Sequence, residues 1–337
     1  RGQRMIRLVK FFIGLGLLWS LYWYAAGYLV RQSVTAWFQD RAELGWQADF
    51  ADISTSGYPF RHVTMLKSPA LADPANGTAW QADCLILNNP AIWPGKQTLI
   101  FPDTVQRLSY FDQTVELQAA DMAADLHLKP GTALELDRMA VSAGQWQISA
   151  QLGPIVSGKA LDVAMQDTGE DRTYRFDVLV PEFEPDERLR RLTGSGPALP
   201  EKFQTLELDM KVTFDRVWDR RALEERRPQP TDINLRLAQA QWGKLGLLAA
   251  GQLIVDGAGQ PDGDITVKVQ NWRDMLLIAE QSGAIPDYTL KPIERVLELV
   301  SRVGGSPEVL DVGLKFGGGS ISLGPFPLGP SPNLHLR

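Results

Sequence analysis

The chain has 337 residues, 44% of them hydrophobic, with ten tryptophans and a formal net charge of −6. That length allows two ordinary domains or one large sheet-rich one, and the apolar content excludes an intrinsically disordered polymer. The acidic balance speaks against a nucleic-acid partner, and the single cysteine, Cys84, excludes an intramolecular disulfide and any cysteine-based zinc centre.

Arg1, Arg4, Arg7 and Lys10 precede an uncharged run over residues 11–30. Twenty residues at 1.5 Å rise span about 30 Å, the thickness of a hydrocarbon core. The run therefore predicts a single-pass transmembrane helix, and the basic residues before it predict a cytoplasmic N-terminus with the bulk of the chain outside. Trp19, Tyr22, Trp23, Tyr24 and Tyr28 are expected at the outer headgroup level. A cleaved signal peptide, with Ala25 and Gly27 before the cut, is the competing reading. The length of the run and its aromatic belt favour an uncleaved anchor. The helix is expected to continue through Val34, Trp37 and Phe38 to about Glu43, with Gly45 ending it. Residues 1–44 thus form a cytoplasmic tip, an anchor and a helical extension.

Beyond Gly45 the pattern changes to period two. Residues 206–214 place Leu206, Leu208, Met210, Val212 and Phe214 on one face, and Tyr174, Phe176 and Val178 make a matching row. Shorter alternations fall at residues 115–117, 126–128, 134–136, 161–165, 233–237, 253–255 and 265–269. Strands of this kind belong to antiparallel sheets with one covered face. The turn sequences Lys129-Pro130-Gly131 and Gly259 to Gly263 separate them as hairpins. Cys84, in an apolar stretch, reads as a small core residue.

A short helix from Pro185 or Asp186 to Leu192 is expected to lead into a boundary at Gly194-Ser195-Gly196-Pro197. That divides the chain into a first β-rich region, 45–193, a linker, 194–200, and a second β-rich region, 201–337, unless the two form one continuous sheet. Residues 219–230 read as an exposed hairpin loop. Asn271 is a plausible N-cap for a helix ending near Gly283, and residues 292–303 form a second helix closed by Gly304-Gly305. The fold class is mainly β with a few helices (α+β): an N-terminal transmembrane helix, then a large, curled or doubled, antiparallel meandering sheet with a late helical hairpin.

No chemistry assembles from the polar residues. His62, His127 and His335 are far apart in the chain and read as structural or exposed. Gly194-Ser195-Gly196 lacks the flanking glycines of a nucleophile elbow. Gly317-Gly318-Gly319 lacks the lysine and the following helix of a phosphate loop, and reads as a hairpin turn. Glu182, Glu184, Asp186 and Glu187 suit a helix start better than paired catalytic carboxylates. Asn76-Gly77-Thr78 matches a glycosylation acceptor but reads as a turn. The expectation is a non-enzyme with no catalytic residues, no metal and no cofactor.

Three stretches carry a family resemblance. They are Ser56-Gly57-Tyr58-Pro59-Phe60-Arg61; then Trp242-Gly243, Gly251, Asp256, Gly259, Pro261 and Gly263 through Asn271-Trp272-Arg273; and residues 322–330, with Gly324, Pro325, Phe326, Pro327, Gly329 and Pro330. In combination the sequence resembles the bacterial envelope family known as domain of unknown function 2125. The resemblance implies a Gram-negative envelope location behind an N-terminal anchor, and it brings no activity and no functional residues. Physically, Gly57 and Pro59 suit a bend after a strand, Trp272 a core anchor at a strand-to-helix junction, and the Gly-Pro repeats a turn-rich edge.

The architecture is also similar to AsmA-like and bridge-like envelope proteins, whose sheets shelter lipid chains. This implies an inner-membrane protein with a periplasmic domain that binds or transfers lipid or other hydrophobic molecules along an apolar face. The candidate lipid-facing residues are Tyr174, Phe176, Val178, Leu206, Leu208, Met210, Val212 and Phe214. The alternative is a non-catalytic envelope scaffold that pairs with another envelope protein, its apolar face consumed by a core.

Overall fold

The computed structural model describes every residue except 1, 76, 94, 111–112, 186–198, 282–286, 304–305 and 337. The expected helix after Pro185 and most of the expected linker lie outside the described residues. Strands make up half of the chain, in antiparallel sheets that are not closed. The chain divides into two compact units, Arg1–His127 and Leu128–Arg337.

The first unit begins with α1 (Gly2–Glu43), a single unbroken helix long and apolar enough to cross a membrane. It ends where Gly45 takes φ +89°, as its lack of a Cβ permits. Its side chains divide into two regimes. Residues 3–18 are exposed, whereas from Trp19 onward burial recurs every three or four residues, through Trp23, Gly27, Val34, Phe38 and Arg41. That is the period of one helix face laid on a protein surface.

The strands of this unit are β1 (Gln47–Asp49), β2 (Asp52–Ser56), β3 (Arg61–Lys67), β4 (Ala70–Asp73), β5 (Thr78–Gln81), β6 (Cys84–Pro90), β7 (Lys96–Ile100), β8 (Gln106–Tyr110), β9 (Gln113–Ala119) and β10 (Ala123–Leu128). They form two antiparallel sheets, ordered β1-β4-β5-β8-β9 and β2-β3-β6-β7-β10. The chain passes back and forth between the two sheets. At the β3–β4 corner Ser68 has φ +49° and donates its N–H to the Asp83 carbonyl, 2.7 Å away, beside the buried Pro69. Leu66, Thr64 and Gln106 are buried here, and Gln106 accepts from the Trp80 indole at 3.1 Å. Cys84, read as a core residue, is the first residue of β6 and only half-buried.

The second unit holds β11 (Leu136–Ala143), β12 (Trp146–Ala150), β13 (Gly153–Gly158), β14 (Leu161–Asp167), β15 (Thr173–Leu179), β16 (Glu184–Pro185), β17 (Thr205–Phe214), α2 (Arg221–Glu224), β18 (Pro230–Trp242), β19 (Leu245–Val255), β20 (Pro261–Gln270), α3 (Trp272–Gln281), α4 (Asp287–Val303), β21 (Val309–Gly317), β22 (Ser320–Leu323) and β23 (Phe326–Pro330). A small sheet β12-β13-β16 accompanies a long meander, β11-β14-β15-β17-β18-β19-β20-β21-β22-β23. The helices α3 and α4 pack on the late strands, where Trp272, Leu297, Leu310, Val312 and Leu323 form one apolar cluster.

Several local expectations change. Leu134 has φ +52° and is exposed, so β11 starts only at Leu136. Residues 219–230 are not simply an exposed loop: Asp219 is buried and binds Arg221 through its backbone N–H and its guanidinium, at 2.8 to 3.0 Å, which starts α2. Asn271 does not cap α3 with its side chain, which donates instead to the Lys244 carbonyl. The last helix begins at Asp287, so Pro292 lies in its second turn. Gly318 and Gly319, with φ +57° and +75°, make the β21–β22 turn as expected of the triple glycine.

Candidate functional site

Cross-strand register builds the face of the long meander. Tyr174, Phe176 and Val178 on β15 stand opposite Val212, Met210 and Leu208 on β17. On the side of β14, Phe176 meets Met165 and Val178 meets Val163; Met165 and Val163 in turn meet Met139 and Val141 of β11. Toward β18, Leu208 faces Ala238, Met210 faces Leu235 and Val212 faces Ile233. The row continues through Leu253, Gly251, Ala249 and Leu247 of β19 to Ile265, Val267 and Val269 of β20, and to Leu314, Val312 and Leu310 of β21. Because side chains alternate between faces, all these residues share one side of the sheet.

One expectation about this row is corrected. Register shifts where β18 meets β17, so that Asp209 faces Leu237 while Met210 faces Leu235. The extra residue of this β-bulge puts Leu237 on the side of Asp209, and Ala238 takes its place in the apolar row.

The row is covered at its borders and half-buried in its middle. At one end of β15 and β17, Tyr174, Val212 and Phe214 are buried, with the Trp218 ring edge-on to Phe214 at 5.5 Å. There Tyr174 accepts the Trp218 N–H at 3.2 Å, and burial pushes its hydroxyl above the ordinary phenol range. Beside it Lys129 binds Asp167. That hydrogen bond raises the ammonium, and despite burial it holds the carboxyl below its usual range. At the other end Trp242 stacks on Phe203 at 4.7 Å and donates to the Pro200 carbonyl at 2.8 Å. Helices α3 and α4 cover the late strands. Between these borders Phe176, Val178, Leu206, Leu208, Met210, Leu235, Ala238 and Ala249 are only half-buried.

The opposite side of the same strands is wet. Arg175 lies 3.0 Å from both Asp177 and Asp209, whose charges raise its guanidinium above its ordinary value, and Arg236 lies 3.7 Å from Asp209. A cleft of about 350 Å³ on these strands has a mixed lining, with Arg138, Asp162, Asp177 and Glu207 beside apolar residues such as Ala140 and Leu179. Among the described residues no three His, Cys, Asp or Glu side chains stand together as a metal-binding group.

Of the other residues singled out in the sequence, Gly251 lies in this row and Trp242 and Trp272 pack at its borders, whereas the rest serve turns and junctions. Gly57, Tyr58, Pro59, Phe60 and Arg61 form the turn between β2 and β3 in the first unit. Gly57 has φ +99°, and a Cβ on it would meet the Arg61 carbonyl at 2.8 Å. Gly243, at φ +59°, turns β18 into β19 just after Trp242. Asn271, Trp272 and Arg273 carry β20 into α3, with the Trp272 indole and the Arg273 guanidinium both donating to the Pro307 carbonyl. Asp256 closes the β19–β20 hairpin by accepting the N–H groups of Ala258 and Gln260 at 2.9 and 2.8 Å. Met139 and Val141 were missed in sequence, because Ala140 between them erases the contrast between faces.

No curated protein matches the chain. The profile of a bacterial family, described as an uncharacterized protein conserved in bacteria, matches residues 23–332, which takes in the β2–β3 turn, the apolar rows and the Asn271-Trp272-Arg273 junction. The chain therefore belongs to the family domain of unknown function 2125.

Proposed function

We propose that this protein is a membrane-anchored envelope module that holds acyl chains of lipid, or similar hydrophobic molecules, on the half-open face of its second unit, and that it performs no catalysis. The observation that carries this reading is the in-register apolar row from β11 to β21, whose middle is left half-exposed while its borders are covered. An open apolar strip continuous over so many strands is a costly surface to leave in water unless something occupies it. In this reading α1 spans the inner membrane once, its basic N-terminal residues in the cytoplasm and both β units in the periplasm.

The test is photo-crosslinking of the full-length chain in native membranes. A benzophenone side chain replacing Met210 is expected to recover lipid, and one replacing Lys211 on the wet face is expected to recover none. Lipid adducts absent at both positions, or equal at both, would sink the proposal. A protein adduct at Met210 would favour an envelope scaffold instead.

A further inference from the structure

We infer that the end of the first unit bearing the turns at residues 57–61 and 91–93 is seated inside the bilayer that α1 crosses, with Phe60, Ile92 and Trp93 against acyl chains of the leaflet far from Arg4, Arg7 and Lys10. This rests on reading α1 as a spanning helix.

The turns are bolted to the helix within its apolar run. Trp19 donates its indole N–H to the Pro59 carbonyl at 3.1 Å, Tyr22 its hydroxyl to the Ala91 carbonyl at 2.7 Å, and Trp23 its indole N–H to the Arg61 carbonyl at 2.9 Å. His62, buried beneath them, donates from Nε2 to the Trp23 carbonyl at 3.0 Å and stacks on the Trp23 ring. Trp19 is nine residues past Lys10, about 14 Å along the helix axis, and about 22 Å past Arg4. A hydrocarbon core is about 30 Å thick, so with either residue at the near boundary the level of Pro59 falls inside it.

Two properties of the turns fit that position. Phe60 and Ile92 are 78% and 73% exposed and Trp93 is also exposed, so the tips present apolar side chains, while Tyr58 packs against Trp23 and Tyr24 of the helix and the exposed Arg61 is held by Asn88 at 2.6 Å. Most of their backbone carbonyls are satisfied internally: those of Pro59, Arg61 and Ala91 by the helix, that of Gly57 by the Arg61 N–H at 3.0 Å, that of Phe60 by the Ala91 N–H at 2.9 Å and that of Trp93 by the Lys96 N–H at 3.3 Å. Non-helical backbone enters hydrocarbon only when its polar groups are paired within the protein. The helix then runs along β2 and β3 toward their far end, where Phe38 meets Phe50 edge-on at 5.0 Å. That end, with Lys67 and Asp83, lies outside the membrane.

The experiment uses the full chain with Cys84→Ala, reconstituted into vesicles of phosphatidylethanolamine and phosphatidylglycerol. Single cysteines replace Leu15, Phe60, Ile92 or Asp83 and carry an environment-sensitive fluorophore. Labels at Phe60→Cys and Ile92→Cys are expected to be quenched by lipids with nitroxide on the acyl chain and to lose quenching by aqueous iodide, as at Leu15→Cys. The label at Asp83→Cys should show the reverse. Iodide quenching at both tips with Leu15→Cys shielded would overturn the seating and leave the anchor standing. Iodide quenching at Leu15→Cys as well would overturn both.

Discussion

Trp272 joins three elements through one side chain. It follows β20, opens α3 and donates to the Pro307 carbonyl ahead of β21, with its ring 2% exposed among Leu297, Leu310 and Val312. Removing a ring so enclosed costs lost transfer energy and leaves a cavity, so Trp272→Ala is expected to destabilise by about 3 to 5 kcal/mol in denaturant unfolding. Trp272→Phe keeps most of the packing and should lose about 1 kcal/mol with the hydrogen bond. An unchanged midpoint in the alanine variant would contradict the packing. Glu182 offers a different reading, through pH. Its carboxylate takes Lys159 and Lys202 at 2.9 Å each, and these bonds lower its pKa from 4.5 to about 2. A carboxylate depressed by folding contributes stability above its unfolded value, and that stability drains as pH falls through the folded value. The unfolding midpoint should therefore decline between pH 4.5 and about 2, less steeply in Glu182→Gln. The group is exposed, so the difference is small. Identical slopes would remove Glu182 from the account.

At the scale of elements, β17 decides between an open face and a closed core. Met210 stands between Phe176 and Leu235, half-buried, two residues from the buried Val212. On an open face a carboxylate at this position keeps water around it. Met210→Glu is thus expected to fold with a loss of under about 1.5 kcal/mol while lipid recovery at neighbouring crosslinking positions falls. Val212→Glu puts the same charge where no water reaches and should cost several kcal/mol. Equal, large losses in both would describe a closed core and favour the scaffold. The faultless alternation of β17 made its face legible in sequence, since period two alone says which side chains stand together. The bulge in β18 was not legible: Ile233, Leu235 and Leu237 read as one row, and only pairing with Asp209 and Met210 shows Leu237 displaced. Hairpin turns were readable where glycine must take positive φ, as at Gly318 and Gly319. Asn271 misled because its side chain finds the Lys244 carbonyl, a partner 27 residues away.

At the scale of the whole chain, the apolar run of α1 was plain from composition, but the docking of its later half on the strands was not. Trp19 and Trp23 read in sequence as rings at the headgroup level, and only their partners in the β2–β3 turn reveal that they are docked. The family match, which begins at residue 23, includes the later part of this docked stripe and none of the exposed first half. The two halves should then separate in a truncation series of the full chain. Among the described residues, starting at Trp19 removes only side chains that are exposed, so the unfolding midpoint of the first unit is expected to stay unchanged. Starting at Gly45 also removes Trp23 and Phe38, 4% and 7% exposed, and takes the Trp23 carbonyl from the buried His62. Losing an enclosed tryptophan and phenylalanine at about 3 to 5 kcal/mol each exceeds the margin of many domains, so this version is expected to unfold or aggregate. Hydrogen exchange at β2 and β3 reports the difference directly. Protection retained in the chain that starts at Gly45 would mean that the docked half of α1 is a passenger, and the hydrogen bonds from Trp19, Tyr22 and Trp23 would lose their structural role.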